Sequence, residues 1–322
     1  MTSRDKDSSR RGGAPDDKLA FAEGEVVAGR YKILDLVGVG GSGEVYRAAD
    51  QALGGTVALK TLKQAFAKHP KLLERFRREV QNARRVTHPN VCRIFDMGIH
   101  TSGAHKRFFL TMEPLEGESL AVALAKREPY APAEAQPILA EIAAGLQAAH
   151  DSSVVHRDLK PGNVVLLPPA AGRSTPRAGI TDFGLAISEE QISLGLTESS
   201  EMVGTPEYMA PEQTDPGSTT PAIDVYALGI IAYELLTKRR PFEAAATPIE
   251  TLLKRRREKP RPLGEVMIGV EPAWEAAIMR CLERDPARRF QRPMDFIQAL
   301  DQPAPAGPPD EPRRWFRKPK PR

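Results

Sequence analysis

The chain has 322 residues, 41% apolar and 27% charged, with 46 Lys+Arg against 42 Asp+Glu. That is enough apolar content for a sizeable buried core, and a net charge of +4 is too small for a dedicated nucleic-acid binder. Cys92 and Cys281 form neither a disulfide framework nor a zinc spacing, and no apolar run is long enough to span a bilayer, so a soluble, cytoplasmic protein is expected.

The charge is unevenly placed. Residues 1–24 carry five basic and five acidic groups, residues 301–322 carry six and three, and residues 25–300 hold 35 against 34. The last 22 residues also hold seven of the 29 prolines and the run RRWFRKPKPR, so 301–322 reads as a Pro-rich basic tail and 1–29 as a flexible polar one. Between them, Tyr31 to Val37 alternates as a strand. Glu44 to Ala48 and Val57 to Thr61 follow as two more, joined by turns at Gly38–Gly43 and Gly54–Gly55. From Pro70 a helix is expected, with Leu72, Leu73, Phe76, Val80 and Ala83 on one face. Val91 to Asp96 and Arg107 to Met112 are β-like. After Gly117 helical spacing takes over, at Ile138, Ile142, Leu146 and Ala149 and again at Val225, Leu228, Ala232 and Leu235; Pro137 predicts a kink or a late start in the first of these helices. The pattern is α+β, a small β-rich lobe over about 30–115 and a larger helical one over about 116–300.

Four stretches carry chemistry. Gly38-Val39-Gly40-Gly41-Ser42-Gly43-Glu44-Val45 fits G-x-G-x-x-G-x-V, in which glycines let a strand-turn-strand approach phosphate oxygens that a Cβ would block. A dinucleotide fingerprint needs a helix after the glycines, and here a strand follows. Lys60 ends the next strand, and Glu79, close to the apolar stripe of the helix, is the carboxylate that could orient it. His156-Arg157-Asp158-Leu159-Lys160-Pro161-Gly162-Asn163 gathers a proton acceptor, a cation and a neutral oxygen ligand, and Thr181-Asp182-Phe183-Gly184 adds a hard carboxylate oxygen suited to Mg²⁺. Any one of these is an ordinary polar turn or strand end. Their order along one chain is not.

On these motifs the chain resembles the eukaryotic-type protein kinases, over about Arg30 to Leu300. The opening GRYKILDLVGVGGSGEVYRAAD and the stretch FRREVQNARRVTHPNV are most similar to the bacterial serine/threonine branch. The resemblance implies a two-lobed kinase fold and transfer of the ATP γ-phosphoryl group to protein Ser or Thr hydroxyls. It implies that Gly38 to Val45 cover the phosphates, that Lys60 paired with Glu79 holds them, and that Asn163 and Asp182 ligate Mg²⁺, with Mn²⁺ an alternative. Asp158 is implied as base and Lys160 as the cation on the γ-phosphoryl. Val45, Ala58 and Val165 would sandwich adenine, with Met112 behind it and the backbone of Glu113 and Leu115 at the hinge. Glu212 with Arg289 resembles a buried ion pair, and Asp224 an anchor beneath the catalytic loop.

Arg157 before Asp158 implies an activation segment ordered by phosphate, with Thr197 and Ser199 as modification sites and Arg75 as a second phosphate ligand. Ile187, where many relatives supply a cation, makes that phosphorylation helpful rather than obligatory. The stretch LPPAAGRSTPRA after Leu166 is about six residues longer than the family pattern and reads as a surface loop. Expected partners are protein substrates and a second copy for autophosphorylation, with membrane contact only through the basic tail. Three rivals are weighed: a pseudokinase scaffold or binding module; a dinucleotide-dependent oxidoreductase, which fails on the strand after the glycines; and a small-molecule phosphotransferase. Gly204 to Glu212, which looks like a protein-substrate docking segment, disfavours the last.

Overall fold

The computed structural model describes residues 19–40, 43–62, 70–103, 105–169, 175–183, 207–215, 219–243 and 247–302. The first part is a six-stranded antiparallel sheet of β1 (Val26–Val27), β2 (Tyr31–Gly40), β3 (Gly43–Asp50), β4 (Thr56–Thr61), β5 (Ile94–Ser102) and β6 (His105–Met112), in the order β1-β2-β3-β4-β6-β5. Between β4 and β5 runs α1 (Pro70–Ala83), whose Phe76, Val80 and Ala83 are buried. Each such side chain is worth about 1.5–3 kcal/mol for the larger residues, enough to fix a 14-residue helix whose other faces are charged.

Because side chains alternate across a strand, register divides this sheet into two faces. Val45 pairs with Lys60, Arg47 with Ala58, Ala58 with Met112 and Lys60 with Leu110, so these side chains share one face. The neighbouring positions, Tyr46, Ala48, Val57, Leu59 and Phe109, face the other way and form a small core with Phe21, Val27, Tyr31 and Ile33. This core corrects the expected N-terminal tail. Residues 19–29 are anchored through Phe21 and Val27, with Phe21 2% exposed, its ring against Tyr46 and His100, and Ala20 N donating to Glu44. The apolar residues of this stretch, broken by Gly24 and two glutamates, follow neither a strand nor a helix period by which to foresee this.

The second part is helical. A short sheet of β7 (Glu118–Ser119), β8 (Val164–Leu167) and β9 (Arg177–Ile180) lies with α2 (Leu120–Lys126), α3 (Pro132–Asp151), α4 (Ala222–Thr237), α5 (Pro248–Arg257), α6 (Pro272–Cys281) and α7 (Pro293–Leu300). α4 is buried on nearly every side and is the axis about which α3, α6 and α7 pack. α3 is continuous from Pro132, so the late start expected from Pro137 does not occur. Pro137 falls close to the helix start, where its missing N–H costs only the bond to the Ala133 carbonyl. β5 starts three residues later than the sequence pattern. Val91 instead bridges Ile180, and Cys92 N donates to the Ile180 carbonyl at 2.8 Å, which ties the strand's approach to β9.

Candidate active site

The sheet face bearing Lys60 meets the end of β9 through Asp182, and this junction, with the segment His156–Asn163 bonded to Thr181 as its floor, is the candidate cleft. That floor is set by one buried carboxylate. Asp224, 1% exposed on α4, accepts from His156 N at 2.8 Å, from Arg157 N at 2.9 Å and from His150 Nε2 at 2.7 Å. Burial pushes its pKa up, but the hydrogen bond and charge of His150 and the contacts of His156 outweigh it and hold the group below the ordinary carboxylate value. His156 is fully buried. Its Nε2 donates to the Thr181 carbonyl at 2.8 Å and its Nδ1 accepts from Asp158 N at 3.2 Å, so this ring ties the floor to the start of the Asp182 turn. Phe183 packs edge-on against it with ring centroids 4.6 Å apart.

Asp158 is thereby presented into the cleft. Lys160 Nζ donates to its Oδ2 at 2.7 Å, and Asn163 Nδ2 donates to its carbonyl at 2.7 Å and its Oδ2 at 3.2 Å. The 3₁₀ turn Pro161–Asn163 closes this cluster, and the Asn163 carbonyl accepts from Thr181 N at 2.9 Å. Two of the five non-glycine residues with positive φ among the described residues, Arg157 at 69° and Asp182 at 65°, sit here, backbone strain held by the surrounding bonds.

The Lys60–Glu79 pair expected from the sequence is not made. Lys60, 3% exposed, donates to Asp182 Oδ1 at 2.7 Å. Glu79 instead accepts from Arg157 Nη1 at 2.6 Å, with Arg75 Nε 3.5 Å away. The two arginines read as phosphate ligands thus meet on a carboxylate, and the buried ammonium, which cannot remain unpaired, takes the nearest alternative. Glu79 Oε2 and Arg157 Nε are buried without a hydrogen-bond partner among the described residues.

Val45, Ala58 and Met112 share the cleft face of the large sheet, and Val165 pairs with Gly179 in the small one. The backbone N–H of Glu113 is spent on the Arg93 carbonyl at 2.9 Å, and its carbonyl meets only the weak thiol donor of Cys92 at 3.5 Å. Leu115 packs over Gly179. Gly38, Val39 and Gly40 extend β2, and Gly43 is required for a reason not foreseen: its φ is 139°, and a Cβ there would lie 2.1 Å from the Thr61 carbonyl oxygen. Gly41, Ser42, Thr197 and Ser199 lie outside the described residues.

The donor set suits a phosphate-bound divalent ion. Asp182 has a second carboxylate oxygen beyond the one held by Lys60, and Asn163, with its amide nitrogen turned on Asp158, keeps its amide oxygen. No group of three or more His, Cys, Asp or Glu gathers among the described residues, and Mg²⁺ typically takes one or two protein oxygens and completes its shell with phosphate and water. Sequence reasoning missed His150 as the third partner of Asp224, since a lone histidine in a helix carries no signal. It also missed Gln213, whose Nε2 holds the Arg157 carbonyl at 3.0 Å.

A β-sheet lobe over a helical lobe, with a strained, charge-lined floor between them, defines the class of two-lobed phosphotransferases. The protein kinase domain model matches residues 31–303, and the chain belongs to the protein kinase family. It is 34% identical over 278 residues to the serine/threonine-protein kinase PknA of Mycobacterium tuberculosis, covering 86% of this chain and 62% of that protein. It is 32% identical over 279 residues to a probable serine/threonine-protein kinase PknB of Corynebacterium glutamicum, covering 85% and 42%. The crystal structure of the Mycobacterium tuberculosis PknI kinase domain superposes with a TM-score of 0.69 at 25% identity, covering 87% of this chain and 98% of that one. The chain spans 41–42% of the length of its Corynebacterium relatives. Among the described residues no helix is long and apolar enough to cross a membrane.

Proposed function

We propose that this chain is a catalytically competent serine/threonine protein kinase that uses ATP with Mg²⁺, or Mn²⁺ in its place. The observation that carries this reading is the cluster of Asp158, Lys160 and Asn163, anchored on buried Asp224 and facing the Lys60–Asp182 pair. The adenine ring would lie between Val45 and Ala58 above and Val165 below, against Met112, taking backbone hydrogen bonds at Glu113 and Leu115. Gly38 to Gly43 would cover the phosphates. Asn163 and Asp182 would hold the divalent ions, whose positive charge offsets that developing on the phosphoryl oxygens. Asp158 orients the acceptor hydroxyl and takes its proton, and Lys160, already on Asp158, is placed to neutralise the γ-phosphoryl.

Release of Lys60 from Asp182 and of Glu79 from Arg157 would re-pair Lys60 with Glu79. A phosphate on Thr197 or Ser199 is suited to draw Arg157 and Arg75 away, which explains why modification would help. The relatives' names support a serine or threonine of a protein as acceptor. The test is incubation with Mg²⁺ and ATP, intact mass and mapping of modified residues, with Asp158→Asn beside it. Loss of general-base catalysis lowers transfer by about 10²–10⁴-fold. Equal incorporation by both proteins would refute Asp158 as base, and no incorporation by the unaltered chain would favour the scaffold reading.

A further inference from the structure

Two features of the sequence have no role in the kinase reading: the long β8–β9 connection and the Pro-rich tail. One cavity lies beside the described ends of both. It has a volume of about 570 Å³ and lies on the helical lobe, between α2, the start of α3 and the two ends of the β8–β9 connection. Ala123, Tyr130, Ala133 and Ile138 line its helical side, and Leu167 and Pro168 the other. Its charges cancel internally. Lys126 Nζ lies 2.7 Å from Glu118 Oε2, and Arg127 Nη2 lies 2.9 Å from Glu134 Oε1 with its guanidinium 3.7 Å over the Tyr130 ring. Such a wall selects an apolar or aromatic occupant over an ion. One polar group is on offer, because Pro137 has no N–H to give the Ala133 carbonyl, and Ala133 is exposed.

The described chain ends close by. Gln136 Nε2 donates to Asp301 Oδ1 at 2.6 Å, and Gln136 is one helical step from Ala133. Twenty residues follow Gln302, and Trp315 is the thirteenth of them. Thirteen extended residues reach about 40 Å, against about 8 Å of helix from Ala133 to Ile138, so length does not limit contact.

We propose that the tail docks in cis in this cavity, Trp315 and Phe316 entering between Ala133 and Pro168 while Arg313, Arg314, Arg317 and Lys318 stay in water. The indole N–H supplies the donor that Pro137 withholds. A short tether gives an effective concentration of order mM, so even an intrinsic affinity of about 100 μM keeps the site about tenfold more occupied than empty.

The test uses the full chain. Its only other tryptophan, Trp274, is 3% exposed, so the emission that acrylamide can reach belongs to Trp315. The unaltered protein should resist quenching. Ala133→Arg should quench as readily as the free peptide 303–322, with an unchanged thermal midpoint reporting an intact fold. In a second arm, Ala133→Cys with Phe316→Cys is treated with a bismaleimide, the native Cys92 and Cys281 being buried. A cross-link within one chain that survives dilution, and is absent when Asp35→Cys replaces Ala133→Cys, is expected. Equal quenching of the unaltered and Ala133→Arg proteins would overturn the proposal. So would cross-links only between chains, which assign the cavity to a second copy. A Trp315 response to phosphatidylserine vesicles that ignores Ala133→Arg would assign the tail to a membrane and overturn it likewise. No readout uses nucleotide, so failure here is separate from failure of the kinase reading.

Discussion

Asp224 shows how one residue organises a site without touching what reacts there. Replacing it by Ala leaves His150 and the N–H groups of His156 and Arg157 facing a buried gap, at a cost of about 3–5 kcal/mol. Thermal unfolding should register that loss, and Asp224→Asn, which keeps an acceptor oxygen, should lose less. Gly43→Ala is expected to be costly for a local reason, since its Cβ would meet the Thr61 backbone and its φ lies where side chains are strained. We expect about 1–3 kcal/mol from calorimetry and a weakened ATP affinity, while Gly38→Ala, with nothing within 4 Å of its Cβ position, leaves stability nearly unchanged. The candidate residues Asp158, Lys160 and Asn163 were readable because they are close in sequence. Lys60 and Glu79 were readable as residues but not as a pair, because their partners come from segments 122 and 78 positions away.

At the scale of elements, α1 is the part with two possible charge pairings. Its apolar side is fixed by Phe76, Val80 and Ala83, and its charged side is held by Arg157. Arg157→Gln removes that hold, a partly exposed ion pair worth about 1 kcal/mol, so the KM for ATP of the unphosphorylated protein should fall about fivefold as Glu79 becomes free for Lys60. An unchanged KM would show that Arg157 does not set the position of α1. Five of the seven helices among the described residues, α1, α3, α5, α6 and α7, open on a proline, where the missing N–H is one the helix leaves unpaired anyway. Helix starts in a chain with 29 prolines were therefore legible at residues such as Pro70, whereas Pro137, close to the start of α3, misled. Its cost depends on distance from the helix start, which periodicity does not fix.

The molecule as a whole is stabilised by groups that titrate at both ends of the pH scale. Asp224 is held below its ordinary value of 3.8, so its contribution is complete above that value and disappears as acid protonates it. Burial pushes the Cys92 thiol from 9.0 to about 12, and Tyr46 and Tyr226 from 10.0 to about 12. These acids ionise more readily unfolded than folded, so the stability they confer is complete below their ordinary values and is lost as pH rises through 9–10 towards 12. The thermal midpoint should form a plateau through neutrality and fall on both sides. Cys92→Ala should flatten the alkaline limb, and an alkaline limb unaffected by that change would remove Cys92 from the account.

The sequence by itself determined the kinase family, the strands β2, β3, β4 and β6, the helices α1, α3 and α4, and the candidate groups of the cleft. Those features are written in local spacing: alternation for strands, threes and fours for helices, and short motifs whose members are neighbours in the chain. Only the tertiary structure decided that Phe21 and Val27 pack into the small core, that Lys60 rests on Asp182 while Arg157 holds Glu79, and that the two ends of the β8–β9 connection line a cavity near the end of α7. Each depends on groups far apart in sequence whose charges or apolar surfaces must be matched after folding. A buried charge takes the partner that geometry brings within reach, and no local pattern records which one that is.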